Sequence, residues 1–400
     1  MKKIFLLIII FLSFIYSVSA NIELNSKNAI MYNLNDDEII YEKDINEIKK
    51  IASLTKIMTC IVAIENSDLD SYVTVTSKAF VGLNGYAQAG FKVGDKVTIR
   101  DLLYGLMLPS GAETANMLAI SIAGSNDELV KMMNDKAKEL NLNNTHFSNT
   151  IGVDEDDNYS TVYDLAILLK YALKNDDFKE IYDANEYTTT NGLILKKTLL
   201  KYAKNNNLDA SIITGSKTGY TEEAGYCLSS TATINDIDYL LITIDADSYA
   251  SYIEDAINIY DYYSTNYSYI TILSKDKHLI DIPIKNGKKK NLSIYSNKEI
   301  KKYLKNDIDI SKIEYEYIGI DTITKKVKLN DKLGTINIKY NGKVLDTYDV
   351  YLKEKIKYKH TKLYIIISLI IVTILYYKNK KNKRKKKRKV ITKKIKKCYN

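Results

Sequence analysis

Apolar and polar positions alternate over 28–33 and again over 38–42, around the polar turn Leu34-Asn35-Asp36-Asp37, and the pattern predicts an N-terminal hairpin. The period then changes. From 54 to 64 the apolar residues Ile57, Met58, Cys60, Ile61, Val62 and Ala63 predict a strongly buried helix whose first turn carries Ser53 and Lys56. Helical spacing recurs over 101–107, 114–122, 128–140 and 163–173. Residues 225–234 and 239–246 alternate around the turn Asn235-Asp236 and predict a strand pair, followed by a helix over 253–263.

Hairpin, helices, hairpin and helix in that order imply an α/β (α+β) domain, 21–263, whose antiparallel sheet is assembled from both ends of the segment. From 264 the chain changes to short strands and turns, among them 277–284, 289–295, 313–318 and 334–340. Asn341-Gly342 is a hairpin turn signal and leads into 344–352. We read 264–358 as a small all-β domain.

The two ends are set apart by composition. Residues 1–20 place Lys2 and Lys3 before an apolar run and end on Val18-Ser19-Ala20, the layout of a signal peptide. Residues 359–378 contain an apolar run, 363–377, with only Ser368 and Thr373 as polar interruptions. As a helix, that run reaches about 22 Å against roughly 30 Å of hydrocarbon, so a short transmembrane anchor is expected, with Lys362 snorkelling and tyrosines at the interface.

The basic tail, 379–400, then belongs in the cytoplasm by the positive-inside rule, and everything between signal and anchor lies outside. The net charge of +9 is a property of this tail. Setting aside the 14 Lys and Arg from Lys378 onward and the two lysines of the signal leaves 42 basic against 49 acidic residues, a net of −7. A nucleic-acid partner is therefore excluded, and the tail is expected to meet anionic membrane lipids.

Three short motifs carry chemistry. Ser53-Leu54-Thr55-Lys56 places a hydroxyl and an amine three residues apart, on one helix face. Serine is a poor nucleophile until a base takes its proton, and lysine serves if burial and a second cation lower its pKa, with Lys217 a candidate for that cation. Ser110-Gly111-Ala112 follows Pro109, and Lys217-Thr218-Gly219 opens a strand-like run. Together they form acyl-transfer equipment without histidine. A second Ser-x-x-Lys match, Ser274-Lys275-Asp276-Lys277, falls in the β domain and reads as chance. No metal-spaced cluster or cofactor-binding loop accompanies the motifs.

The stretches around Ser53–Lys56, Leu102 to Gly111, Asn144-Thr145-His146-Phe147, Tyr159-Ser160-Thr161, Lys217-Thr218-Gly219-Tyr220-Thr221 and Ala224 to Leu228 resemble the serine-type D-alanyl-D-alanine carboxypeptidases. These are the low-molecular-mass penicillin-binding proteins of peptidase family S11. The resemblance runs from about 29 to 263, and Lys332-Leu333-Gly334 is more faintly similar to their C-terminal domain.

It implies a serine β-lactamase/penicillin-binding-protein-like sheet flanked by helices. The implied substrate is a peptidoglycan stem ending in D-Ala-D-Ala, and β-lactams would acylate the same serine. Ser53 would be the nucleophile, Lys56 its proton acceptor and Ser110 a proton relay. Lys217, Thr218 and Thr221 would bind the substrate carboxylate. Gly219 belongs to the same edge, and the N–H groups of Ser53 and Tyr220 would form the oxyanion hole.

Two departures stand out. Ala112 replaces the family's usual Asn, with Asn116 one turn on as a possible substitute amide. Tyr252 stands where many members carry a substrate arginine, leaving Lys217 and the threonines as a weaker carboxylate fork. A catalytically weakened wall-binding homologue and a class A β-lactamase are the alternatives. The second lacks a recognisable deacylating glutamate loop and leaves the β domain and anchor without a purpose.

Other candidates have plainer readings. His146, His278 and His360 are the only histidines and lie far apart. Cys60 and Cys227 read as buried free thiols, Tyr159 and Ser160 as loop structure, and Glu113 as an exposed first-turn carboxylate complementing a helix dipole.

Overall fold

The computed structural model describes residues 22–359 and 361–398. The segment 1–20, His360 and the side chain of Cys398 lie outside the described residues. The chain forms two compact units, Met1–Thr265 and Asn266–Asn400.

The first unit opens with β1 (Asn28–Asn33), β2 (Glu38–Lys43), α1 (Thr55–Glu65) and β3 (Tyr72–Thr74). Then come β4 (Lys96–Thr98), α2 (Ile99–Met107), α3 (Ala112–Ala123), α4 (Asn126–Glu139), α5 (Val162–Ala172) and α6 (Asp176–Asp183). β5 (Glu186–Thr188), β6 (Ile194–Lys196), α7 (Thr198–Asn205), β7 (Ser216–Thr221), β8 (Gly225–Ile234), β9 (Ile237–Ala246) and α8 (Tyr249–Asn266) complete it.

Five strands build one antiparallel sheet in the order β2-β1-β9-β8-β7. All six residues of β1 are buried, and Met31 pairs with Leu241, so the two ends of the domain close one sheet, as the order of elements implies. β7 lies at the sheet's edge.

Helix α1 runs through the core, with every residue from Thr55 to Ile64 buried. An apolar stretch without a polar face is stable only there, at roughly 1.5–3 kcal/mol per large apolar side chain buried. Helices α2 to α6 pack around it. Their starts are set locally. Thr98 and Asp101 form a reciprocal capping box on α2, and Ser125, Thr161 and Asn175 cap α4, α5 and α6, each cap contributing about 1 kcal/mol.

The second unit contains β10 (Tyr267–Leu273), β11 (His278–Pro283), β12 (Asn291–Tyr295), β13 (Ile300–Lys305), β14 (Ile313–Gly319), β15 (Lys332–Tyr340) and β16 (Lys343–Tyr351). β14-β15-β16 form a three-stranded sheet, and β10 pairs with β13 and β11 with β12. Leu273, Ile282, Leu333, Ile336, Ile338 and Val350 fill its core. Asn341 and Gly342 both have positive φ, as a tight hairpin turn requires.

The chance motif separates here. Lys277 lies over the Tyr315 ring at 4.2 Å, while Ser274 accepts the Ser296 hydroxyl with its carbonyl. The unit ends in α9 (Thr361–Cys398), one helix that includes both the apolar run and the basic residues. It is the one candidate membrane span among the described residues, with the span assigned to Leu363–Lys394.

Candidate active site

A short 3-10 turn, Ala52–Leu54, leads into α1 and holds Ser53 beside the helix start. Ala52 sits at φ +45°, a left-handed conformation costing a non-glycine residue about 1–2 kcal/mol. Lys56, only 2% exposed, donates from Nζ to Ser53 Oγ at 3.0 Å and to the Ile151 carbonyl at 2.6 Å.

That carbonyl is presented by a side-chain-built turn. Asn149 Oδ1 accepts the N–H groups of Ile151, Gly152 and Val153 at 3.3, 2.7 and 3.2 Å. Gly152 has φ +86°, and a Cβ there would lie 1.9 Å from the Ala52 carbonyl oxygen, so only glycine fits. Burial lowers the Lys56 pKa to about 7, and the negative charge of Glu113 opposes the shift.

Ser110 lies between α2 and α3 at φ +66°, again left-handed. Lys217 on β7, 1% exposed, donates to Ser110 Oγ at 2.9 Å and to the Thr218 carbonyl at 2.8 Å. Its pKa is pushed well below the usual lysine value, first by burial and then by Lys56.

The expected roles of burial and charge are therefore redistributed. Burial is the largest cause at both lysines, the Glu113 carboxylate opposes it at Lys56, and the neighbouring amine adds to it at Lys217. A third buried lysine, Lys197, is held by the carbonyls of Tyr182, Asp183 and Thr214 and ties loops together.

Close approach joins the corners. A Cβ on Gly219 would fall 2.9 Å from the Ser53 nitrogen and 3.0 Å from Ala52 Cβ, so the bare glycine lets β7 run against the serine turn. Ser53, Lys56, Ser110, Thr218, Gly219, Tyr220 and Thr221 all line one cleft of about 630 Å³, with Lys217 buried beside it. Tyr220 is 46% exposed, and Thr221 accepts the Ala224 N–H at 3.1 Å. Residues from four other segments complete the walls, Tyr86 to Gln88, Ile151 to Val153, Lys196 to Lys201 and Tyr249 among them.

Two sequence readings are corrected, those of Asn116 and Glu113. Asn116 does not substitute for an amide at Ala112: its Nδ2 donates to the Ala79 carbonyl at 3.1 Å and its Oδ1 accepts from Asn126 at 3.0 Å, whereas Ala112 itself lines the cleft. Tyr252 is fully buried against Tyr226 and Tyr249, and Tyr249 reaches the cleft wall. Glu113 is 1% exposed, because the segment before α2 folds over it and supplies backbone N–H partners. Asn149 and the Ile151 carbonyl were not anticipated; an Asn three residues before a Gly is the only trace the sequence carries of that turn. Cys60 and Cys227 are buried and free, as expected.

Comparison with known proteins follows the same outline. A family model described as peptidase S11, D-alanyl-D-alanine carboxypeptidase, matches residues 15–248. A model of the penicillin-binding protein 5 C-terminal domain matches residues 267–358. The chain is 28% identical over 341 residues to the D-alanyl-D-alanine carboxypeptidase DacF of Bacillus subtilis, covering 83% of this chain and 86% of that one. It is 34% identical over 239 residues to the D-alanyl-D-alanine carboxypeptidase of Streptomyces sp. K15, covering 56% and 81% respectively. The crystal structure of DacD from Francisella tularensis superposes with a TM-score of 0.67 at 22% identity, over 85% of this chain and 95% of that one, a likeness of fold.

Proposed function

The chain belongs to the peptidase S11 family of D-alanyl-D-alanine carboxypeptidases, a family of hydrolases, and on that premise we propose that it removes the terminal D-alanine from peptidoglycan pentapeptide stems through an acyl-enzyme on Ser53. The observation that carries this reading is the buried Lys56 amine, 3.0 Å from Ser53 Oγ and lowered to about 7. A lysine at its ordinary value would be almost wholly protonated at neutral pH and unable to take a proton.

In the proposed reaction neutral Lys56 accepts the hydroxyl proton as Ser53 Oγ attacks the carbonyl carbon of the penultimate D-alanine. The oxyanion is received by the N–H groups of Ser53 and Tyr220, each such donor contributing about 3 kcal/mol to the transition state. The C–N bond then breaks, and the leaving amine takes a proton relayed through Ser110. Water attacks the ester, with Lys56 again accepting a proton, and Ser53 is released. Lys217, its pKa pushed down by burial and by the neighbouring Lys56, stands where the substrate carboxylate would arrive, and Thr218 and Thr221 complete that fork. A β-lactam follows the first half of this course and stalls as the acyl-enzyme.

Labelling by a fluorescent penicillin together with D-alanine release from a pentapeptide tests the reading. A protein that neither labels nor releases D-alanine would instead be a wall-binding homologue.

We further place the mature catalytic unit outside the cytoplasmic membrane, with α9 spanning it and the lysine- and arginine-rich end facing anionic lipids inside. Removing residues 359–400 is then expected to yield a soluble protein with unaltered turnover. Full-length mature protein in the soluble fraction at high salt would contradict the anchor, and release by salt alone would assign attachment to the basic residues.

A further inference from the structure

Between Phe80 and Lys96 the chain forms neither helix nor strand, and Gly82, Gly85, Gly90 and Gly94 all have positive φ. Its middle, Tyr86, Ala87 and Gln88, is exposed and forms one wall of the cleft. Leu83 and Phe91 bury the two ends of this lip. Between them, hydrogen bonds hold the wall against the site.

Those contacts converge on the head of α3. The Ala112 N–H donates to the Ala87 carbonyl at 2.8 Å. Glu113 Oε1 accepts the N–H groups of Ala89 at 2.6 Å and Gly90 at 2.9 Å. The seat is close: a Cβ on Gly111 would lie 2.8 Å from Ala89 Cβ, and one on Gly105 would lie 2.8 Å from the Phe91 ring. Glu113 Oε2 is buried and without a hydrogen-bond partner. A solvated surface carboxylate would serve a helix N-terminus equally well, so burial of this one calls for a further reason.

We propose that Glu113 is a positioning residue for acyl transfer, clamping the lip onto the Ser110-Gly111-Ala112 segment so that the wall formed by Tyr86, Ala87 and Gln88 stays in register with Ser53. The same carboxylate supplies the negative charge that Lys56 feels. The charged groups facing Lys56 are then Glu113 from α3 and Lys217 from β7; the lip contributes only the phenol of Tyr86, and the 149–153 turn contributes a carbonyl. The clamp rests on geometry, and its kinetic consequence rests on the carboxypeptidase reading above.

Two conservative substitutions separate the two duties. Both lip N–H groups go to one oxygen, so Glu113→Gln retains an acceptor for them and removes the charge. Glu113→Asp retains the charge and withdraws the acceptor by one methylene. E113D is expected to raise KM for a D-Ala-D-Ala peptide by about 10-fold or more, as a misplaced wall costs alignment, with the pH profile unmoved. E113Q is expected to keep KM within about twofold and to shift the acid limb of acylation to lower pH, because Lys56 without its counter-charge loses its proton more readily.

Amide hydrogen exchange reads the clamp without any substrate. Exchange across 85–91 should accelerate about 10-fold or more in E113D and remain near wild type in E113Q. Wild-type exchange in E113D would overturn the clamp. Equal loss of activity and melting temperature in both variants, with no split between KM and pH profile, would reduce Glu113 to a packing residue and also overturn it. If the wild-type protein released no D-alanine, the carboxypeptidase reading alone would fall, and exchange would still decide the clamp.

Discussion

Ser53 with Lys56 and Ser110 with Lys217 are the same chemical pair built twice, a hydroxyl 3.0 and 2.9 Å from a buried amine, yet their surroundings differ. The Glu113 carboxylate opposes the effect of burial at Lys56, whereas the neighbouring amine adds to it at Lys217, so the first falls to about 7 and the second is pushed well below the usual lysine value. Two similar motifs thus sit in unequal electrostatic settings through the third charge nearby, a feature that residue spacing does not encode.

The most severe way to break this comparison is to remove one hydroxyl. On the proposed reading, Ser53→Ala lowers D-alanine release by at least about 10⁴-fold and abolishes penicillin labelling, although Ser110 and Lys217 remain intact. Covalent labelling of that variant at a serine would reverse the assignment. Lys56→Ala is expected to slow acylation by about 10²–10⁴-fold while circular dichroism stays unchanged. A normal rate in that variant would move the base elsewhere.

The pH dependence sharpens the same contrast. Lys56 accepts a proton only when neutral, so acylation should rise with pH through an inflection near 7 and fall below it as the amine becomes charged. Stopped-flow acylation across pH 5–9 measures this, and a flat profile would exclude an amine base with that pKa.

The smallest expected change concerns Ala112. Because Asn116 is committed to Ala79 and Asn126, Ala112→Asn should raise turnover by up to about 10-fold, through one hydrogen bond of about 1 kcal/mol. Asn116→Ala should cost about 1–2 kcal/mol of stability, read from denaturant melts, with turnover within twofold. If A112N leaves turnover unaltered, the second motif acts through Ser110 alone.

The motifs and the sheet were legible because they are written in local pattern. The strand-like runs on either side of the Asn235-Asp236 turn reveal β8 and β9, and an apolar run with no polar face reveals α1. The helices α6 and α7 were not anticipated. Each has eight residues, with only Phe178, Ile181 and Tyr182 buried in one and Leu199 and Ala203 in the other, too few to establish a helical period.

The unread parts of the site depend on backbone or on distant segments. The Ile151 carbonyl carries no residue signature, and its position follows from the Asn149 turn. Glu113 reads as a surface carboxylate because the lip that buries it begins some thirty residues earlier in the chain. Asn116 looks available by spacing alone, and its partners on Ala79 and Asn126 become visible only in three dimensions.

Peptide mapping by mass spectrometry after brief exposure of the wild-type protein to penicillin distinguishes the two serine–lysine pairs most directly. A single penicilloyl adduct is expected on the peptide containing Ser53 and none on the peptide containing Ser110. An adduct on Ser110, or a protein that takes no label at all, would contradict the Ser53 assignment.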